Sequence, residues 1–378
     1  MNILVNCSNL ASAGGLAVAI NFLTAVGRTR RGHRYFVWAP IGVGYESIVA
    51  DDVVLLPVRK VPALVRIATQ RRTVRHLIRA HAIDVVFTVG NFAVPTDLPQ
   101  GLVFMWPYAI YPEGEIWGTM RLSERLSRRV RLWVFRRRLR YASLLFPQTL
   151  TSALRLRRYY DIDGKAIEIV PTASAALSTE DVSVLERLRE RVGEGPVVVL
   201  CVTRYYPHKN LEILPTVLQH LRASGRDVRI VLTLDPAQDP AVPRLLRSFA
   251  EADLESALIN LGQLPLEAVG PLYERADVML LPTLLESYSA TYVDAMQSGV
   301  PICTSDRDFA REVCGEAAVY FDPLNVADIV RALESLLDDS ELRTRIVAAG
   351  RARVSEGKDW PQIAAAYITG LERLVRPS

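Results

Sequence analysis

Apolar residues recur along this chain in short continuous runs separated by longer amphipathic stretches. In the first half the runs are NILVNC (2–7), YFVWAP (35–40), VVLLPV (53–58), DVVFTV (84–89), LVFMW (102–106), SLLFPQ (143–148) and AIEIVP (166–171). They are of strand length and mostly unalternating, the pattern of strands covered on both faces. Helical patterns over 16–26, 61–81, 119–141 and 151–160 lie between them. A charged helix over 180–192 marks a transition, and a second series opens with PVVVLCVT (196–203). It continues through VRIVLTL (228–234), ALINL (257–261), DVMLLP (277–282), a strand at 300–303 and AVYF (318–321). Helices over 210–223, 242–251, 266–275, 289–298, 325–337 and 341–353 alternate with these strands, and a last helix covers 361–374. Alternation of this kind predicts two doubly wound α/β domains with parallel sheets. Ligands are then expected at the C-terminal ends of the strands.

Composition refines this picture. The 378 residues exceed what one core usually covers. Half are apolar and 23% charged, as in an ordinary globular enzyme. No apolar run reaches the roughly 18 residues of a membrane span, and the N-terminus enters a strand with no basic leader, so a cytoplasmic protein is expected. Cys7, Cys201, Cys303 and Cys314 lack metal-ligand spacing and read as reduced thiols. Residues 1–175 hold 24 Lys and Arg against 11 Asp and Glu, whereas residues 176–378 hold 21 against 30. The basic half should prefer an anionic partner.

Candidate chemistry clusters where strands hand over to helices. Residues 282–306, PTLLESYSATYVDAMQSGVPICTSD, read as a strand end, a polar loop, a helix stopped by Gly299 and a further strand. Glu286 and Asp294 frame the loop-to-helix junction, where free amides and the helix dipole favour anions. Eight residues at helical rise would separate them by about 12 Å, the span of a nucleotide sugar from ribose to hexose. In CVTRYYPHKNLE (201–212), Arg204 and Lys209 can converge on one diphosphate. Lysine is rare here, with four against 41 arginines, so one at this place suggests a need for a compact charge. Gly14 and Gly15 follow the first strand and let backbone approach a phosphate or sugar. The segment is not GxGxxG, which disfavours dinucleotide redox chemistry.

From VTRYYPHKN, LGQL (261–264), ADVMLLPT (276–283), ESYSATYVD (286–294), SGVP (298–301), EVCGEAAVYFDP (312–323) and DWPQIAAAY (359–367), the second half resembles the retaining glycosyltransferases of family 4. The motif order matches over residues 200–375; the first half matches more loosely, through Gly14-Gly15. The resemblance implies the GT-B fold: two Rossmann-like domains facing a cleft, with a C-terminal helix crossing back to the first. It places an acceptor-binding domain at 1–175, a nucleotide-sugar-binding domain at 176–358 and the returning helix at 359–378. By the same resemblance Arg204 and Lys209 hold the donor diphosphate, and Glu286 binds sugar hydroxyls. Ser287, Tyr288 and Ser289 face the sugar and phosphate, Asp294 binds the ribose, and Gly262, Gln263 and Leu264 read the base.

Three departures stand out. Asp294 replaces the usual Glu, and Ser-Tyr-Ser follows Glu286 where the family often has Gly-Phe-Gly. The family's first-domain histidine is missing from FMWPYAIYPEGE (104–115); Trp106, Tyr108, Glu113 and Glu115 lie in its place without an assigned role. The implied reaction is metal-independent transfer, with retention, of a hexose-type sugar from a nucleotide diphosphate sugar. The acceptor would be a saccharide or lipid-linked saccharide of bacterial surface polysaccharide. No cofactor is implied, the nucleotide sugar being a co-substrate. Asp306 and Asp308 only superficially resemble a DxD metal motif, since they follow a strand end away from the nucleotide junction.

Residues 121–140 add nine arginines and an apolar stripe of Leu122, Leu126, Val130 and Trp133. Two readings stand: the stripe packs on the sheet with solvated arginines, or the helix lies on an anionic membrane surface. No recognition motif supports nucleic-acid binding. The alternative functions are a non-hydrolysing nucleotide-sugar epimerase of the same fold, which needs acid and base residues not located here, and a non-catalytic membrane-associated binding protein.

Overall fold

The structure, a computed structural model, describes residues 1–11, 13–29, 31–48, 50–58, 63–173, 183–193, 195–265 and 268–375, with the side chains of 13, 63–68 and 119 outside the description. The chain divides into two units, Met1–Ala173 with Lys358–Ser378, and Ser174–Gly357. The boundary expected at 175–176 lies outside the described residues.

The first unit is built on β1 (Asn2–Asn6), β2 (Arg34–Ala39), β3 (Val53–Pro57), β4 (Val85–Val89), β5 (Gln100–Phe104), β6 (Leu144–Pro147) and β7 (Ala166–Ile167), in sheet order β3-β2-β1-β4-β5-β6-β7. All pairings are parallel. Strands β4, β5 and β6 are buried along their whole length, which is why their sequences are continuous apolar runs. Of the predicted strand 166–171 only the first two residues pair as a ladder. The amides of Glu168 and Val170 still bond to Leu145 and Pro147, but Pro147 has no N–H to return. A buried polar chain crosses the sheet: Asn6 donates to Thr88, and Thr88 to Gln100, whose amide also bonds Val94 and the Tyr141 carbonyl.

The helix Trp360–Val375 returns to this unit. Its Tyr367 ring packs between Phe22, Phe87 and Phe146 at 5.0–6.0 Å. Close approach depends on two glycines, because a Cβ on Gly370 would lie 2.8 Å from Phe146 and one on Gly101 2.7 Å from Leu371. The predicted helix 119–141 is broken. Met120 is extended (ψ 144°) and buried, separating Glu115–Thr119 from Leu122–Arg138, and Leu139–Tyr141 closes as a 3₁₀ turn. The predicted helix 61–81 is Ala63–Ala80, with 61–62 outside the described residues.

The second unit holds β8 (Val197–Cys201), β9 (Val228–Leu232), β10 (Leu258–Asn260), β11 (Val278–Leu281), β12 (Ile302–Ser305) and β13 (Ala318–Phe321), in order β10-β9-β8-β11-β12-β13, again parallel. The predicted helix 210–223 starts later. Asn210 takes a left-handed φ of 55° between the 3₁₀ turns Pro207–Lys209 and Leu211–Ile213, and the α-helix is Leu214–Ala223. Its stripe, Leu211, Leu214, Leu218 and Leu221, is fully buried. Helix Ser183–Val192 is the described part of that expected at 180–192, whereas the one expected at 266–275 becomes α-helical only at Gly270, with 266–267 outside the described residues. Gly299, with φ 71°, ends the helix Ala290–Ser298, and the strand after it begins at Ile302 because Pro301 offers no N–H.

Candidate active site

In the second sheet the strand order reverses between β8 and β11. Loops leaving such a pair diverge and open a crevice at their C-terminal ends. The loop after β8 carries Arg204 and Lys209, and the loop after β11 carries Glu286. The structure brings two of these together: Lys209 Nζ donates to Glu286 Oε1, with side chains only 12% and 9% exposed.

Neighbouring backbone holds the pair in place. The His208 carbonyl accepts from Leu284 N at 2.7 Å and from the buried Thr283 hydroxyl at 3.0 Å, tying one loop to the other. Gln238 bonds both backbone groups of Tyr205, Thr233 bonds both of Thr203, and Asn210 donates to the Pro323 carbonyl at 2.8 Å. The β8 loop is thus fixed from three sides. Arg204 extends from it half-buried, and its Nε is buried with no hydrogen-bond partner among the described residues. An unsatisfied guanidinium nitrogen in this position suits an oxyanion. Burial pushes the nearby Cys201 thiol up to about 12, with the Lys209 charge opposing it.

Ser289 is the N-cap of helix Ala290–Ser298 and makes no side-chain cap, so no side chain there takes up the first-turn amides, of which Tyr292 N bonds the Ser289 carbonyl at 3.2 Å. The loop below is fastened by Thr304, which donates to the Leu281 carbonyl at 3.0 Å and bonds the Tyr292 hydroxyl at 2.8 Å. The spacing argument for Glu286 and Asp294 needs correction, since the helix begins only at Ala290 and half of the eight steps are loop. Asp294 is buried. Its charge acts on Tyr273 and Tyr288, whose hydroxyls are raised first by burial and then by Asp294. Ser287 is buried and Tyr288 half-buried.

Gly262, at φ 76°, sits after β10, two strands from β8, with Gln263 exposed and Leu264 half-buried. Asn260 fixes that turn by bonding both backbone groups of Leu234 at 2.9 Å.

In the first unit, Gly14 is exposed with open space at its Cβ position, whereas a Cβ on Gly15 would lie 2.9 Å from Leu10. Gly15 therefore serves packing as well as any ligand. Trp106 packs on Phe92 and Phe135. Tyr108 is buried beneath the Arg128 guanidinium at 3.9 Å. Glu113 and Glu115 are exposed. Asp306 accepts two bonds from Arg311, which lower its carboxyl, and Asp308 accepts from its own helix at Phe309 N. Among the described residues no group of three or more His, Cys, Asp or Glu side chains could hold a metal.

Sequence reasoning passed over Thr283, Gln238, Asn260 and Tyr273. Each acts on a neighbour remote in sequence, for which no local pattern exists. Thr283 lies inside ADVMLLPT and Asn260 inside the strand run ALINL.

Comparison with known proteins bears on the fold and on the second half of the chain. Residues 186–353 match the family model described as glycosyl transferases group 1. The chain is 28% identical over 235 residues to D-inositol 3-phosphate glycosyltransferase of Corynebacterium efficiens, covering 60% of this chain and 54% of that one. It is 24% identical to the serotype-specific mannosyltransferase WbdA of Escherichia coli, covering 63% of this chain and 29% of that one. The chain spans about half the length of the first curated relatives it matches. Sucrose-phosphate synthase of Thermosynechococcus elongatus superposes with a TM-score of 0.80 at 15% identity over 100% of both chains, a likeness of fold alone. The chain thus has the GT-B fold, and over residues 186–353 it is a match to the glycosyl transferases of group 1.

Proposed function

We propose that the protein is a retaining, metal-independent glycosyltransferase of the family 4 type, moving a hexose-type sugar from a nucleotide diphosphate sugar to a saccharide or lipid-linked saccharide. The observation that carries this reading is the enclosed Lys209–Glu286 pair at the strand-order switch, with Arg204, whose Nε has no partner among the described residues, on the same loop as Lys209. An ammonium has three N–H donors, so one shared with Glu286 leaves capacity for phosphate oxygens. Arg204, Lys209 and the amides of helix Ala290–Ser298 then face the diphosphate as the sugar leaves. Fixed donors aimed at developing charge are usually the largest catalytic term. Glu286, held by Lys209, accepts hydrogen bonds from sugar hydroxyls, and the departing phosphate takes the acceptor proton. Asp294 serves the ribose side, Gly262 to Leu264 the base, Ser287 to Ser289 the sugar and phosphate. In the first unit, Gly14 and Gly15 are read as donor-binding, and Trp106, Tyr108, Glu113 and Glu115 as acceptor-side. Similarity to WbdA, a serotype-specific mannosyltransferase, is in keeping with the proposed place in surface polysaccharide assembly.

The test is turnover with a panel of nucleotide sugars, donors being found first by thermal shift. Lys209→Ala and Arg204→Ala are expected to lower transfer roughly 10²–10³-fold. Near-wild-type turnover in both would remove the diphosphate assignment.

A further inference from the structure

The helix Leu122–Arg138 buries one face of itself and leaves another apolar face open. Phe135 is fully buried, packed on Phe104, Trp106 and Tyr160 at 5.1–5.8 Å. On the other side Leu122 is 80% exposed, Leu126 64%, Val130 53% and Trp133 56%. The stripe therefore does not pack on the sheet, which removes one of its two sequence readings. Its steps of four, four and three residues make a single line along the helix. Arg137 lies 4.3 Å over the Trp133 ring, and the helix's one acid, Glu124, is engaged by Arg128 at 2.7 Å. A solvated stripe of Leu, Val and Trp flanked almost wholly by arginine complements a bilayer interface carrying negative charge.

Beside the stripe is a cavity of about 290 Å³ lined by Pro112, Trp117, Gly118, Arg125, Arg129 and Leu132. Arg125 and Arg129 are one turn apart and both border it. Arg125 Nε is buried without a hydrogen-bond partner among the described residues, while its Nη2 makes a long bond of 3.4 Å to the Gly118 carbonyl. The Trp117 N–H is committed to the Tyr111 carbonyl at 2.6 Å, so the ring presents a surface rather than a donor. Two guanidinium groups, one with an unsatisfied buried nitrogen, over an apolar floor fit a phosphate attached to an apolar chain.

We infer that this face of the first unit docks on anionic lipid, with the stripe in the interface and one lipid phosphate in the cavity between Arg125 and Arg129. The inference rests on the transferase reading only for its purpose, the presentation of a lipid-linked acceptor. Its test uses no donor, so the two can fail separately.

Flotation of the full-length protein with phosphatidylcholine vesicles, with and without phosphatidylglycerol, measures the surface. Binding is expected only to the anionic vesicles and is expected to weaken with salt. Leu126→Ser with Trp133→Ser should lower affinity roughly tenfold or more. Each arginine removed costs about fivefold through surface charge alone, so Arg131→Gln with Arg136→Gln serves as the charge-matched control. Arg125→Gln with Arg129→Gln should lose at least about tenfold beyond that control, the scale of a lost charged hydrogen bond. Equal losses in the two pairs would overturn the phosphate site. Wild-type protein that ignores anionic vesicles, binds neutral ones equally well, or uses the stripe to self-associate in sedimentation would overturn the surface. Circular-dichroism melts of each variant, which change exposed or half-exposed side chains, keep folding defects apart from binding defects.

Discussion

The helices Leu122–Arg138 and Ala290–Ser298 are treated in opposite ways by the fold. The first has 17 residues and a single buried side chain, Phe135. The second has nine and buries Tyr292, Asp294, Ala295 and Met296. It is covered as well as supported, since Gly350 of the helix Ser340–Glu356 sits where a Cβ would be 3.0 Å from Met296 Cγ. In the proposed donor role, a helix whose N-terminus faces a ligand cannot tilt without losing its geometry, so enclosure would serve it. In the proposed lipid role, a helix that meets an extended surface would need an open face, with Phe135 as its anchor.

The largest expected effect breaks the enclosed side of that contrast. Lys209→Met leaves the Glu286 carboxyl 91% covered without its ammonium partner, and should cost about 3–5 kcal/mol in urea unfolding. Adding Glu286→Gln should restore most of the stability but none of the proposed transfer. If the single variant melts like wild type, the pair is not enclosed in solution. Next comes the anchor of the open helix, where Phe135→Ala should cost about 3–5 kcal/mol. Two residues away, Trp133→Ala should stay within about 0.5 kcal/mol, and similar losses at both sites would show the stripe to be packed. Gly370→Ala, where a Cβ meets Phe146 and Leu144, should cost about 1–3 kcal/mol by overpacking the returning helix. The smallest effect is an absence. Cys7, Cys201, Cys303 and Cys314 are free and buried, and burial raises the Cys7 and Cys201 thiols to about 12. Thiol reagents at pH 8 should leave all four unlabelled until denaturant is added, because the reactive thiolate forms only well above that pH.

Much of this was legible beforehand. The continuous apolar runs announced strands covered on both faces, and β4, β5 and β6 are so buried that no other pattern would fit. Gly299 announced the end of its helix through a left-handed φ that few other residues tolerate. Less legible was where helices begin. The left-handed Asn210 and the extended Met120 each interrupted a periodic stretch that read as one element; at Asn210 the apolar period runs on across the break, since Leu211 and Leu214 are both buried. The bracing of the β8 loop by Gln238 and Thr233 was not legible at all, since its partners lie about thirty residues apart and share no local signal.

The order of residues alone determined two parallel α/β units, the opposite charge of the two halves, and the junctions where anion-binding groups would stand. Each of these rests on local periodicity, composition or turn chemistry. Only the tertiary structure decided that Lys209 and Glu286 meet, because their approach depends on β8 and β11 being neighbours. It also decided that the Leu122–Trp133 stripe faces outward. A helix with two apolar faces does not say which one is buried; that depends on the elements packed beside it, and here the aromatic cluster of Phe104, Trp106 and Tyr160 covers Phe135.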